Sequence, residues 1–234
     1  MTTPDQAEPQ VQNEATVEKP ASSSSNGTQL APATARGEAT RRRILDAAEA
    51  VFGEFGYYEA SISEITRRAG IAQGTFYIYF HSKHEIFAEV VEDMGKRLRA
   101  ATRAAIAGVP DRLEAERQGF VAFFEFVAAH RRLYRIVQEA ERIAPEAAYS
   151  YYHGISQGYE RALRAAMEAG TIRPMNPEAV TYALMGIGHF VALRWIVWPQ
   201  EEGEVPESTA GLPDEIFASV MDFIAHGLAR SSNE

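Results

Sequence analysis

Amide and hydroxyl side chains recur over one short segment of the chain, at Gln73, Thr75 and Tyr77. Two phenylalanines, Phe76 and Phe80, are spaced four residues apart in the same segment, which places their rings on one face of a helix. A helix anchored by these rings can present the amide and the hydroxyls outward. Such groups hydrogen-bond to base edges and phosphate oxygens, so the segment is suited to insertion into a DNA major groove.

A second short helix is needed just before this segment to hold it in place. Ser61 is a good N-cap, and Glu64 three residues later predicts a capping box that satisfies two backbone N–H groups. Ile65 and Ala69 then share one face, and Gly70 can adopt the left-handed conformation that ends a helix. The pattern predicts two short helices joined by a tight turn, a helix-turn-helix.

Longer helices are predicted on both sides of this unit. The first covers about residues 38–55 and ends at Gly56, and Arg41, Arg42 and Arg43 crowd its first turn. Positive charge at that end is unfavourable for the helix dipole. A neighbouring anion such as a DNA phosphate would explain the cluster, and so would simple solvation of the three charges.

Residues 40–90 closely resemble the DNA-binding domain of the tetracycline-repressor (TetR) family. The chain departs from many members at Tyr79, where they have histidine, and at Ile78, where they have a larger polar or aromatic residue. The mode of docking can therefore be carried over, but the base preference cannot. Beyond residue 90 the resemblance is reduced to the number and order of helices. The matching runs are residues 62–65, 69–71, 74–80 and 82–83.

The resemblance implies a repressor that binds a palindromic double-stranded DNA operator as a homodimer and is released by a small-molecule effector. It also implies that the DNA phosphates are contacted by Ser61, Tyr77 and Lys83. The full set of candidate DNA contacts is Ser61, Gln73, Gly74, Thr75, Tyr77, Ile78, Tyr79 and Lys83, with Arg41 and Arg42 added from the charge cluster.

The whole sequence predicts an all-α protein of about nine helices, because no strand pattern of useful length is visible. Residues 1–35 are rich in small and polar side chains and are predicted to be a disordered tail. Residues 36–84 are predicted to form a three-helix DNA-binding head. Residues 85–230 are predicted to form a ligand-binding and dimerisation domain, whose last two helices carry more apolar positions than a monomer requires.

Aromatic side chains with polar tips are concentrated in this second domain, a composition that suits an apolar pocket with a few orienting hydrogen bonds. Ordinary core and surface tyrosines are the alternative. Runs at residues 135–140, 144–146 and 183–188 look similar to regulators of fatty-acid or aromatic-acid catabolism. That similarity implies a hydrophobic or acyl-CoA-like effector. The candidate ligand-binding residues are Phe120, Phe123, Phe124, Tyr149, Tyr152, His153, Tyr159 and His189.

The charge of the chain is unusual for a protein that binds nucleic acid. The net charge is −9, and residues 36–107 contain eleven basic and ten acidic side chains. This is a weak electrostatic footprint. Binding must therefore depend on the local placement of a few cations, and we expect low, salt-sensitive non-specific affinity.

Several classes of protein are disfavoured by what the sequence lacks. It has no cysteine, no nucleophile elbow, no phosphate loop and no metal-spaced cluster, so we expect no enzyme activity, cofactor or metal. It has no uninterrupted apolar run of membrane-spanning length and no secretory signal, so we expect a cytoplasmic protein without a membrane partner. Two alternatives remain: an all-α small-molecule-binding protein or enzyme whose helix-turn-helix does not read DNA, and a protein-interaction module.

Overall fold

The computed structural model describes residues 34–198 and 211–229, and in these ranges the chain is all-α, as expected. A single π-helical turn, Leu193–Val197, continues the eighth helix. Nearly all of the predicted tail lies outside the described residues. The nine helices are α1 (Ala35–Glu59), α2 (Ile62–Ala69), α3 (Gln73–Tyr79), α4 (Lys83–Ile106), α5 (Arg112–Ala129), α6 (Arg131–Ile143), α7 (Pro145–Glu168), α8 (Pro177–Ala192) and α9 (Asp214–Leu228).

The predicted Ser61 cap starts α2, and Ser82 caps the start of α4 in the same way, although neither forms a complete capping box. The Ser61 hydroxyl accepts the Glu64 N–H at 3.2 Å, and the Ser82 hydroxyl accepts the Glu85 N–H at 3.0 Å. The predicted bond from the Ser61 N–H to the Glu64 carboxylate is replaced. The Glu64 carboxylate instead accepts hydrogen bonds from Arg67 and Arg68 of α2. The Glu85 carboxylate accepts the N–H of His81, one residue before the cap.

Helix α1 is longer than the sequence predicts, because Thr34 caps it and Gly56 bends it without ending it. The Thr34 side chain accepts the Gly37 N–H at 3.1 Å. Gly56 has φ of 70°, a left-handed conformation that favours glycine, and the helix resumes to Glu59. At the bend, the Tyr57 N–H is satisfied by the Glu139 carboxylate of α6 at 2.9 Å.

A continuous hydrophobic core connects the head to the rest of the described chain. In the head, Phe52 of α1, Ile65 of α2 and Phe76 of α3 are all buried. Helix α4 then packs against α1 on the head side and against α5 and α7 on the other side. It therefore contacts both parts of the protein along its length.

The segment Pro177–Val197, which joins α8 to the π-helical turn, is long and apolar enough to cross a membrane by length and composition. No such segment was predicted from the sequence, because polar residues interrupt the apolar run. In the structure α8 packs against α7 and α5, and part of its apolar surface is buried there. This packing is that of a helix in a helical bundle.

Candidate nucleic-acid interface and ligand-binding region

Helix α3 exposes most of the predicted DNA-contacting residues on one side. Tyr77 is 48% exposed and Ile78 is 59% exposed, whereas Phe76 is fully buried between them and the core. Gln73 and Gly74 are also exposed, while Thr75 and Tyr79 are only partly accessible. The two-phenylalanine anchor thus holds a seven-residue helix with an amide, a phenol and an isoleucine outward.

Ser61 and Gly74 extend this exposed surface at the starts of α2 and α3. The Ser61 hydroxyl oxygen is occupied by its capping bond, but its proton remains able to donate to a phosphate. A Cβ built at Gly74 would meet no heavy atom within 4 Å, so the space beside this backbone is open. A DNA backbone or base can therefore approach α3 closely at its first turn.

The arginines at the start of α1 are engaged within the protein. Arg41 pairs with Glu89 of α4, and its guanidinium also lies 5.0 Å from the centre of the Phe80 ring. Arg42 binds both carboxylate oxygens of Asp93, also on α4, at 3.1 Å. These contacts explain the cluster without DNA, and they argue against the phosphate role predicted for Arg41 and Arg42. Arg43 donates to the Ala69 carbonyl at 2.8 Å.

A row of ion pairs between α1 and α4 includes these arginines, and we call it the α1–α4 ladder. Its members are Arg41–Glu89, Arg42–Asp93 and Glu49–Arg97, the last with 2.6 Å between nitrogen and oxygen. All six side chains retain some solvent exposure, so each pair contributes little to stability, about 0–1 kcal/mol. Their main effect is to fix the orientation of α1 against α4.

Lys83 requires a correction of its predicted role. Its ammonium group donates to the carbonyls of Tyr57, Tyr58 and Ala60 at 2.8, 3.2 and 2.8 Å. A lysine has only three N–H donors, and all three are used by the end of α1. The ammonium also lies 4.6 Å from the centre of the Tyr57 ring. Lys83 therefore caps α1, and this geometry argues against the predicted phosphate contact.

Substitution of Lys83 by alanine should destabilise the protein by about 1–3 kcal/mol, because two part-buried carbonyls and one exposed carbonyl lose a charged donor. Urea unfolding at one fixed protein concentration measures the change, with Lys96→Ala, an exposed lysine on the same helix, as the control. The salt dependence of DNA binding should stay as in the wild type. An unchanged free energy of unfolding with a shallower salt dependence would restore the phosphate role.

The positive charge at the end of α2 is also partly neutralised. Hydrogen bonds from Arg67 and Arg68 lower the pKa of Glu64 to about 2, so this carboxylate stays ionised at neutral pH. Arg68 makes a second ion pair, with Glu54 of α1, at 2.8 Å. The arginines of α2 therefore already have acidic partners. This pairing explains why the positive potential available to attract DNA is weak.

In the second domain, some of the predicted ligand-binding residues meet where α5, α6 and α8 pack. A Cβ built at Gly188 would lie 3.4 Å from the rings of both Phe120 and Phe123, so the glycine lets α8 approach them closely. His189 Nδ1 and the Tyr134 hydroxyl share a hydrogen bond of 2.6 Å. The Tyr134 ring lies beside Phe123. Burial lowers the pKa of His189, which favours its neutral form. Phe124 is fully buried in the core next to this region.

The other predicted ligand residues lie on α7. Tyr149 is 65% exposed and stacks on His153, with 5.2 Å between ring centres. Tyr152 donates to Glu141 of α6 at 3.1 Å. These residues share an aromatic and polar composition, but successive positions on one helix point in different directions.

A buried charged cluster that the sequence did not predict lies between α5 and α7. Glu116 is only 3% exposed, and its carboxylate binds both Arg112 and the Tyr159 hydroxyl. Burial raises the pKa of Glu116 and raises that of Tyr159 as well. An arginine and a glutamate four residues apart are indistinguishable in sequence from an ordinary surface pair, so no sequence signal revealed the burial. Tyr159 was predicted to bind ligand, but in the structure its hydroxyl donates to the Glu116 carboxylate.

An exposed α3 packed against α2 defines this chain as an all-α helix-turn-helix protein. Residues 44–90 match the family described as bacterial regulatory proteins, tetR family. This match lies in the head, and it confirms the resemblance to the TetR family that the sequence shows.

Known relatives support this assignment to different extents. The Bacillus subtilis regulator YdgC is 41% identical over 71 residues, which cover 30% of this chain and only 36% of the relative. The transcriptional repressor KstR2 of Mycobacterium tuberculosis is 28% identical over 160 residues, covering 66% of this chain and 80% of the repressor.

A solved structure extends the similarity of fold to most of the chain. The transcriptional regulator FadR from Bacillus subtilis, solved in complex with stearoyl-CoA, superposes with a TM-score of 0.67. The match covers 80% of this chain and 98% of FadR, at 20% identity. At this identity the comparison shows a shared fold.

Proposed function

We propose that this protein represses transcription by binding a near-palindromic operator as a homodimer and that a small hydrophobic molecule releases it. The exposed face of α3, with Gln73, Tyr77 and Ile78 outward over a buried phenylalanine anchor, carries this proposal. The amide can hydrogen-bond to base edges, and Ile78 can contact a thymine methyl group. Because the surrounding arginines are paired, the proposed phosphate contacts are hydroxyl and backbone groups around Ser61, Thr75 and Tyr77.

The proposed dimer uses the exposed apolar surface of α8 and α9. Phe190 is 67% exposed on α8 and Phe223 is 70% exposed on α9, and Tyr182 adds a further exposed ring on α8. Large exposed aromatic rings are typical of a protein–protein interface. Two copies related by a twofold axis would place two α3 helices in successive major grooves, about 34–36 Å apart.

Substitution of Phe223 by aspartate should convert the dimer to a monomer, because a charge at the centre of an apolar interface loses its hydration without gaining a partner. Sedimentation equilibrium measures the result. Tyr149→Asp is the matched control, since Tyr149 is similarly exposed but lies on α7. A Phe223→Asp protein that remains dimeric would contradict the proposed interface.

The proposed effector region is the place where Phe120, Phe123, Tyr134 and His189 come together. It has apolar aromatic walls and a polar pair, Tyr134–His189, that can orient a ligand. FadR, which shares the fold, was solved with stearoyl-CoA, and this supports a hydrophobic or acyl-CoA-like effector for the present chain. Helices α5 and α7 both pack on α4, so a ligand that moves them would move the head. A coupling of about 1–3 kcal/mol would change operator affinity about 5–150-fold.

The direct test is the selection of bound duplexes from a random DNA pool at moderate salt. We expect the wild-type protein to enrich an inverted repeat. A folded dimer that enriches no sequence would contradict the proposal and would favour a small-molecule-binding protein that does not read DNA. The enriched operator then allows effectors to be screened by their ability to release it, acyl-CoA thioesters first. Action on DNA in this way places the protein in the cytoplasm.

A further inference from the structure

The end of α1 beyond its bend leads directly into the helix-turn-helix, and we call residues 56–60 the linking turn. Gly56 has φ of 70° and ψ of 175°, so the chain changes direction there and the Tyr57 N–H begins a new turn, as the first N–H groups of a helix do. At the other end Ala60 is buried, and its N–H donates to the Gly56 carbonyl at 3.3 Å. The next residue is Ser61, the cap of α2. The linking turn therefore sets where α2 and α3 begin.

Two other helices hold the linking turn at its opposite ends. Glu139 of α6 accepts the Tyr57 N–H at 2.9 Å, so a side chain from another helix caps the start of the turn. Lys83, the first residue of α4, donates to the carbonyls of Tyr57 and Ala60, both at 2.8 Å. A carboxylate at the start and an ammonium group at the end are the charges that stabilise the two ends of a helical segment.

The close approach of Glu139 depends on the glycine at the bend. A Cβ built at Gly56 would lie 3.0 Å from Glu139 Oε1, a contact that is too tight for an ordinary side chain. The positive φ of Gly56 is also unfavourable for any residue with a Cβ. One glycine thus allows both the change of direction in α1 and the contact with the carboxylate of α6.

Helix α6 contacts the start of α4 as well, and it carries part of the proposed effector region. The His84 Nε2–H donates to the Ile143 carbonyl at 2.9 Å, which connects the end of α6 to the first turn of α4. Tyr134, which shares a hydrogen bond with His189, lies on the same helix as Glu139. These two α6 residues are about 7.5 Å apart along the helix axis.

We propose that Glu139 is a positioning residue for the reading of DNA: it ties the linking turn to α6, so that the position of α6 sets the orientation of α2 and α3. The part of α1 before the bend follows α4 through the α1–α4 ladder, whereas the part after the bend follows α6 through Glu139. A molecule that moves α6 at Tyr134 would therefore act on the head through the linking turn as well as through α4. This route from the effector rests on the proposed function, whereas the hold of Glu139 on the linking turn does not.

The first test uses the full-length protein without DNA or effector. Hydrogen–deuterium exchange measured by mass spectrometry reports the protection of the backbone amides of residues 57–69. Glu139→Ala removes the acceptor, and Glu139→Gln keeps an oxygen that can accept the Tyr57 N–H. Glu125→Ala, which removes an exposed glutamate on α5, is the matched control. The same proteins are then titrated with the selected operator by fluorescence anisotropy.

We expect residues 57–69 to exchange at least about tenfold faster in Glu139→Ala, while α7 and α8 exchange as in the wild type. Operator affinity of this variant should fall at least about tenfold. Glu139→Gln and Glu125→Ala should match the wild type in both measurements, because the acceptor oxygen is present in each.

The proposal is overturned if residues 57–69 of Glu139→Ala exchange as in the wild type, or if all helices are accelerated alike, which would indicate a general loss of stability. It is also overturned if Glu139→Gln behaves as Glu139→Ala does, or if operator affinity is unchanged while exchange is faster. A wild-type protein that selects no operator would refute the proposed function, and the exchange measurements would still decide whether Glu139 holds the linking turn.

Discussion

Replacement of Tyr77 by alanine is expected to weaken operator binding by about 5–150-fold, the equivalent of about 1–3 kcal/mol, without unfolding the protein. The side chain is half exposed on α3, so its loss removes a phenol that can reach DNA and leaves the buried Phe76 and Phe80 in place. Fluorescence anisotropy with the selected operator at fixed salt measures the change. Circular dichroism and sedimentation check that fold and oligomeric state are retained.

Tyr149→Ala is the matched control for this substitution. Tyr149 is also an exposed tyrosine, but it lies on α7 and stacks on His153 away from the head. The control should bind the operator as tightly as the wild type. Equal operator affinity for the Tyr77→Ala protein would show that α3 does not read DNA through this residue.

Removal of Arg112 is expected to have the largest effect on stability, a loss of about 3–5 kcal/mol in the free energy of unfolding, because it leaves Glu116 buried without its cation. The Arg112→Ala variant should be compared with Arg117→Ala on the same helix. Arg117 pairs with Glu114 at 2.7 Å near the surface, so its loss should cost about 1 kcal/mol or less. Equal losses in the two variants would mean that Glu116 is less buried than the structure indicates.

The pH dependence of the Arg112→Ala variant gives a second readout. Burial raises the pKa of Glu116 above its usual 4.5, so the folded state favours the protonated form. The stability that Glu116 contributes is therefore fully present below pH 4.5 and is lost as the pH rises through its folded pKa. The deficit of Arg112→Ala relative to wild type should accordingly be smaller at low pH than at neutral pH, as urea unfolding across that range would show.

The parts of the fold that were predictable from sequence depend on short-range chemistry. Ser61, Gly70 and the spacing of Phe76 and Phe80 each act within one or two helical turns, and together they specify the caps, the turn and the buried face of the helix-turn-helix. These signals agree with one another, which is why the helix-turn-helix could be predicted without a structure.

The features that were missed depend on partners distant in the chain. Arg41 and Glu89 are 48 residues apart. The carbonyls that accept hydrogen bonds from Lys83 lie at the end of α1, more than 20 residues earlier in the chain. No local pattern distinguishes a basic residue with such a partner from one that faces DNA. Glu116 was missed for the same reason, since its burial depends on Tyr159, 43 residues away.

The α1–α4 ladder has a consequence for how the protein would search a genome. Arginines that pair with carboxylates of their own chain release few counterions from random DNA, so little of the protein should be held at the many competing sites of a chromosome. A larger free fraction then remains for the operator even when copies are scarce. Occupancy of the promoter would respond promptly to the effector, because few bound copies elsewhere act as a reservoir.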